Sequence, residues 1–357
     1  MGRKNQPTEA FRRVSIDTSA LALSAYHRLI GKHPQILKEA SAYQRSRVRD
    51  DLVDHLDALA DAIATDSPAI FTDYADRAQI FFISRHLPEE YIPDSFKAIL
   101  EGVPTEFPEE YRDIAKTYLR KGLTVARKAQ APPSCINPEN PQADAARNYL
   151  DALVDGDAAA AQNVIDTVLA SGTSIKEVYL NIFRPVLAET GRLWLIEKIG
   201  IAAEHFISAS VVHELGRLSN QIAREGRLHK KGKTVVAASV EGEHHGIGIQ
   251  MVSDFFIMDG WNSYYVGPDI PARSLLKAIR DRHADVIALS ISLPSRLQAL
   301  HYLIRSLRGD PATASVKIIV GGRPFVLVPG LWKQLDADAC ARDAAEAVAA
   351  ADRLIKN

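Results

Sequence analysis

The chain is poor in cysteine. Of its 357 residues only Cys135 and Cys340 are cysteines, far apart and in different segments, which argues against a disulfide framework and for a reducing cytoplasm. Long apolar runs are missing too: no stretch reaches the 18 apolar residues of a membrane-spanning helix, and no signal-peptide pattern is visible. Nor does one sign of charge prevail. Lys and Arg number 43 against 44 Asp and Glu, a formal net charge of −1, so nothing favours a nucleic acid as a direct partner. Residues 1–125 hold no zinc-ligand spacing, Gly-rich phosphate loop or nucleophile elbow, and no repeat is visible beyond a βα alternation near the C-terminus. A chain of this length is expected to form two to three globular domains.

What is present concentrates near residue 243. The segment Glu243-His244-His245-Gly246-Ile247-Gly248 follows the apolar run Thr234–Val240 and reads as carboxylate-x-His-x-x-Gly at a strand-to-helix turn. A histidine leaving the C-terminal end of a strand stands over the sheet edge, where open α/β sheets bind ligands. A carboxylate two residues earlier can hold its other ring nitrogen, fixing the tautomer and raising ligand basicity. A glycine three residues on lets the backbone approach a flat ligand.

Downstream, strand-like and helix-like runs alternate. Asn262–Val266, Asp285–Leu289 and Val316–Val320 read as strands; Ala272–Arg282, Leu297–Leu307 and Ala344–Ile355 read as helices. This alternation predicts βαβ units and a doubly wound parallel sheet. Glu243, His245 and Gly248 then follow the first strand, Ser290 and Ser292 the third, and Gly321 and Gly322 the fourth, so three strand ends converge on one crevice.

On these residues, 233–357 resemble the cobalamin-binding domain of methionine synthase, mutases, corrinoid proteins and light-responsive regulators, a flavodoxin-like α/β fold. The resemblance implies that His245 is the lower axial cobalt ligand, displacing the cofactor's own base, and that the nucleotide tail passes Ser290, Ser292, Gly321 and Gly322. The chain departs from the family at Glu243, where aspartate is usual. His244 is a competing ligand, one residue out of register with Gly248.

Residues 143–225 read as four amphipathic helices, Ala145–Val154, Ala158–Ser171, Ile175–Thr190 and Ile199–Ala223, with apolar positions at three- and four-residue intervals, as in Val164, Val168, Val178, Ile182 and Val186. Trp194, Glu204 and His205 lie within this four-helix cap. Together they resemble the upper-face signature of adenosylcobalamin photoreceptors, in which Trp, Glu and His pack around the adenosyl group. The residue after the Trp, a cobalt-capturing histidine in those proteins, is Leu195 here.

Residues 14–128 are expected to be all-helical, punctuated at Pro34, Pro68, Pro88, Pro93 and Pro108. Residues 51–74 resemble the globin-like sensor domains of stress-signalling complexes, and the layout is similar to light-sensing fusions that add a bilin. On that resemblance biliverdin would sit near His55 or His86 with Phe71, Tyr74, Phe81 and Phe82; no cysteine precedes Cys135 to attach it. A Pro-rich linker covers 129–142 and a basic connector 226–233. The function expected is a non-enzymatic, adenosylcobalamin-dependent light sensor acting on an unknown downstream protein, with a homo-oligomer compatible. Two other classes stay open: a corrinoid protein shuttling methyl groups between partner enzymes, and a cobalamin-responsive antirepressor.

Overall fold

A computed structural model describes residues 14–37, 42–225 and 231–356. The polar start, residues 1–13, and residues 226–230 of the basic connector lie outside the described residues. The chain divides into two compact units. One holds the described residues up to Gln130 together with Leu293–Gln298 and Arg323–Leu335; the other holds Ala131–Ser292, Ala299–Gly322 and the residues from Asp336 onward.

The N-terminal part of the first unit is a helical bundle whose described residues form α1 (Thr18–Lys32), α2 (Ala42–Ala64), α3 (Pro68–Ser84), α4 (Tyr91–Glu106) and α5 (Arg112–Ala126). Their starts follow local chemistry. Asp17 accepts a hydrogen bond from the Ala20 amide at 3.0 Å, and Pro68 opens α3, where its missing N–H is no loss. Apolar residues at helical spacing, such as Leu52, Leu56, Leu59 and Ile63, are buried and pack with Phe71, Phe96 and Leu119 into one core. His55 is buried inside that core. Its Nδ1 lies 2.7 Å from the Tyr74 hydroxyl, its ring meets Phe96 edge-on, and burial lowers its pKa to about 3. Phe71, too, is packed in the core.

The second unit begins with the helical cap: α6 (Ala143–Val154), α7 (Ala158–Ala170), α8 (Ile175–Val178), α9 (Arg184–Leu195) and α10 (Ile201–Glu225). The third cap helix expected at Ile175–Thr190 runs on to Leu195, because a π turn at Tyr179–Phe183 joins α8 to α9 without a break. Ser174 starts it with a reciprocal capping box to Glu177.

The sheet follows, with β1 (Thr234–Val240), α11 (Ile247–Met258), β2 (Asn262–Ile270), α12 (Ala272–Asp281), β3 (Val286–Ser290), α13 (Leu297–Gly309), β4 (Lys317–Gly321), then α14 (Arg323–Leu327) and α15 (Leu331–Gln334), which belong to the first unit, and finally β5 (Ala339–Ala341) and α16 (Ala344–Lys356). All pairings are parallel and the strand order is β2-β1-β3-β4-β5, the flavodoxin-like doubly wound arrangement whose order reverses between β1 and β3. β1 and β3 are buried along nearly their whole length, as central strands covered on both faces must be. The strand β5 escapes sequence reading because it is three residues of mixed character. Among the described residues no helix is long and apolar enough to cross a membrane.

Cap and sheet domain share one apolar core, and a buried polar junction pins them. Asp254 of α11 accepts hydrogen bonds from Tyr179 of the π turn at 2.8 Å and from Ser219 of α10 at 2.6 Å. Asp254→Ala would strand two hydroxyls in an apolar interior, so we expect a loss of about 2–4 kcal/mol in urea unfolding of the full chain. An unchanged midpoint would show that the junction does not hold the cap.

Candidate functional site

The turn after β1 is organised around Glu243, whose side chain is 0% exposed. One carboxylate oxygen accepts from the His245 amide at 3.0 Å and lies 2.5 Å from the His245 ring Nδ1; the other accepts from the Ser292 amide at 2.6 Å. The Glu243 carbonyl accepts from the Asp269 amide at 2.9 Å. Burial alone would push the carboxyl up; the hydrogen bonds from His245 and Ser292, with the imidazole charge, hold it down to about 2. The longer side chain therefore reaches the imidazole that an aspartate serves elsewhere.

His245 responds in the opposite direction. The Glu243 hydrogen bond raises its pKa above the usual histidine value against the effect of burial, and the charges of Glu243 and Glu204 add to the rise. With Nδ1–H donated to Glu243, Nε2 keeps its lone pair on a ring that is 60% exposed. A metal ligand needs that lone pair free of a proton. His244 differs in each respect: it is 78% exposed and its nearest carboxylate is Asp269 at 3.9 Å. The two neighbouring histidines thus point to different surroundings, and only His245 is paired with the buried carboxylate.

Gly248, Ser290, Gly321 and Gly322 line one cavity of about 180 Å³ between the sheet and α11. Its walls are largely apolar, with Ile249, Val252 and Phe255 on one side and Leu289, Ile319 and Val320 on the other. An apolar cavity of about 150 Å³ holds benzene, so this one has room for an aromatic base. The glycines explain its shape. Gly248 has no other part of the protein within 4 Å of where a Cβ would stand, whereas a Cβ on Gly322, at φ +111°, would come within 1.8 Å of the Ile291 carbonyl oxygen. The Ile291 amide donates to the Gly321 carbonyl at 3.1 Å. The turns after β3 and β4 are therefore locked together. Gly322→Ala should cost several degrees of melting temperature and close the cavity mouth; an unchanged melting temperature would contradict the close approach.

Sequence reading missed Arg184, Arg342 and Asp343, which also line the cavity. Arg184 lies 3.7 Å from Asp343, and Arg342 is held by Glu346 at 2.9 Å. Arg342 and Asp343 follow β5, so with that strand unread nothing marked them as a strand-end pair.

The cap residues form a group of their own. Glu204 accepts from Ser208 at 2.9 Å and lies 2.5 Å from His205 Nδ1, both on α10. Glu204 is close enough for its charge to act on the His245 ring. Trp194, in the last turn of α9, packs partly buried against the shared core. Leu195 is 4% exposed.

The residues fit a corrinoid: a carboxylate-oriented imidazole with a free nitrogen, a glycine-edged apolar cavity for the nucleotide base, and a helical cap. Comparison with known proteins agrees. Family models described as B12 binding domain match residues 145–218 and 233–352. Dimethylamine corrinoid protein 3 of Methanosarcina mazei is 30% identical over 132 residues, 37% of this chain and 77% of that protein. The chain belongs to the cobalamin-binding corrinoid proteins. Dimethylamine corrinoid protein 3 of Methanosarcina acetivorans is 29% identical over 171 residues, 48% of this chain and 75% of that protein. The solved monomethylamine corrinoid protein of Methanosarcina barkeri covers 60% of this chain and 100% of its own, with a TM-score of 0.52 at 18% identity, a likeness of fold alone.

These relatives overturn light sensing as the function. They are corrinoid proteins named for dimethylamine, and the photolysis mechanism falls with the sensor reading; the bilin stays an expectation of sequence resemblance. The physical reason is that a helical bundle closing over a flat cofactor is a need that carriers and sensors share, so the pattern of Trp194, Glu204 and His205 does not distinguish them. The matched models begin at residue 145, so the globin likeness of the first unit stays a resemblance of sequence.

The Glu243–His245 pair gives a direct test. Glu243→Gln keeps the shape and removes the charge, so the His245 ring should titrate at lower pH in the cobalamin-free protein, read by NMR. Loss of a partner that orients a metal histidine costs about 10–100-fold in metal affinity, and cobalamin should bind that much more weakly. An unmoved titration with unaltered affinity would remove Glu243 from the site. The sign for stability follows. A depressed Glu243 contributes stability that is present above its ordinary value of 4.5 and lost as pH falls toward about 2; the raised His245 contributes stability at low pH that is lost as pH rises through its folded value.

Proposed function

We propose that the chain is a corrinoid methyl carrier, a non-catalytic component that presents cobalamin to partner enzymes which load and unload a methyl group. The observation that supports this most is membership of the corrinoid proteins together with relatives named for dimethylamine. Cobalamin, when bound, supplies a cobalt centre able to accept and release a methyl group.

The protein's own residues would do the rest. His245 would bind cobalt from below through Nε2. Glu243, fixed by the Ser292 amide, would hold the ring at the angle that aims this nitrogen, and the Nδ1 hydrogen bond would keep it basic. Gly248, Ser290, Gly321 and Gly322 would receive the displaced nucleotide base in the apolar cavity and keep it from competing for the metal. Trp194, Glu204 and His205 would cover the upper face and exclude water from it. The exposure of His205 and Glu204 suits a cap that moves aside when a partner enzyme needs the upper face.

Two measurements test the reading. With the cofactor as cob(II)alamin, protein labelled with ¹⁵N-histidine should give a two-line axial superhyperfine pattern in EPR where unlabelled protein gives three, and His245→Ala should return the signal of the cofactor's own base or of water. A pattern indifferent to the label would exclude a histidine ligand. The upper ligand of the corrinoid purified with the protein decides the function: a methyl group, water or none is expected, and an adenosyl group predominating would count against a methyl carrier.

A further inference from the structure

The first unit contains two short pieces of the C-terminal third, Leu293–Gln298 and Arg323–Leu335. Each begins one residue beyond a position in the candidate cobalamin site: Leu293 follows Ser292, and Arg323 follows Gly322. Within the unit these pieces are held firmly. The Arg323 guanidinium forms a two-pronged ion pair with Asp73 of α3, at 2.5 and 3.2 Å. Leu327 and Val328 pack against the core of the helical bundle. Arg296, in the other piece, lies near enough to Asp61 of α2 to oppose the burial and the Asp57 charge that push that carboxyl up to about 7.

From those anchors a chain of close contacts leads to His245. Gly322 sits against the Ile291 carbonyl with no room for a Cβ. Ile291 donates to Gly321. The next residue, Ser292, donates its amide to Glu243, and Glu243 holds the His245 ring. A shift of Arg323 would move Gly322, and Gly322 has no freedom to move without displacing Ile291 and the Ser292 amide.

We propose that Asp73 and Arg323 are positioning residues for the lower cobalt ligand, and that the N-terminal bundle sets how strongly His245 holds the corrinoid through this chain of backbone contacts. The inference rests on His245 as the ligand, the reading given under Proposed function. It assigns the N-terminal bundle a job that needs no cofactor of its own: any partner that displaces the bundle's grip on Arg323–Leu335 would loosen His245 from a distance. Asp73 touches neither cobalamin nor His245 in this scheme.

The test uses the full-length protein. Asp73→Arg and Arg323→Asp each replace attraction by repulsion, and the double variant restores an ion pair with the charges exchanged. A partly exposed ion pair contributes little by itself, so each single change should weaken cobalamin binding by about three- to fivefold and lower the fraction of cob(II)alamin showing a histidine nitrogen in EPR. The exchanged pair should recover most of both. Leu327→Ala with Val328→Ala removes the apolar part of the grip and should have a larger effect, about tenfold. In the cobalamin-free protein, hydrogen exchange at the peptide containing Ser292 should speed up in the single variants and slow again in the exchanged pair, with circular dichroism unchanged. Variants that alter neither the exchange at Ser292 nor the affinity would overturn the proposal, as would single losses that the exchanged pair fails to recover in folded protein. The exchange measurement keeps the two readings apart: if EPR shows that His245 is not the ligand, exchange at Ser292 still reports whether the coupling exists.

Discussion

Glu243 is a carboxylate with no exposure to water, and the site is organised around keeping it charged. An uncompensated buried charge neutralises by taking a proton. Here three N–H groups prevent this: the His245 ring, the His245 amide and the Ser292 amide. Each belongs to a different requirement of the fold. The His245 amide fixes the turn after β1, the ring fixes the group that faces the ligand, and the Ser292 amide ties that turn to the end of β3 across the point where the strand order reverses. Loss of any one weakens what keeps the charge, so the orientation of the His245 ring and the sheet's edge geometry depend on each other.

The charge also distinguishes two adjacent histidines. His244 and His245 have the same chemistry, and sequence spacing alone separates them by one position. The structure separates them by environment. Glu243, 2.5 Å from Nδ1, holds the His245 ring in place and raises its pKa, and the same charge that makes Nε2 a better donor to a metal makes it a better base for a proton.

Much of this was legible in the residues. The strands β1, β3 and β4 are runs of Val, Ile, Leu and Ala with few alternatives, and the polar residues at their ends could be placed once the βα alternation was seen. What escaped has physical causes. β5 is three residues, Ala339–Ala341, too short for any periodicity, so Arg342 and Asp343 had no strand end to attach to. The π turn at Tyr179–Phe183 has no composition signal, and the third cap helix ends at Leu195 where Thr190 is expected. Pairs formed by folding alone, such as Tyr179 with Asp254 or Asp73 with Arg323, lie 75 and 250 residues apart, and nothing local announces them.

The misreading of function is more instructive than those omissions, because the decisive residue was in view. Leu195 stands where the resembled photoreceptors place a second cobalt-capturing histidine. The structure gives the position a different weight. Leu195 is 4% exposed, so the side chain there is buried and offers no ligand. Trp194, Glu204 and His205 are three residues suited to enclosing any upper-face group, whereas a histidine after the Trp serves one specific chemistry. A motif shared by several functions constrains fold and cofactor; the residue that only one function requires is the one that discriminates among them. By that standard the cap pattern alone leaves the function open, and the relatives named for dimethylamine decide against the sensor.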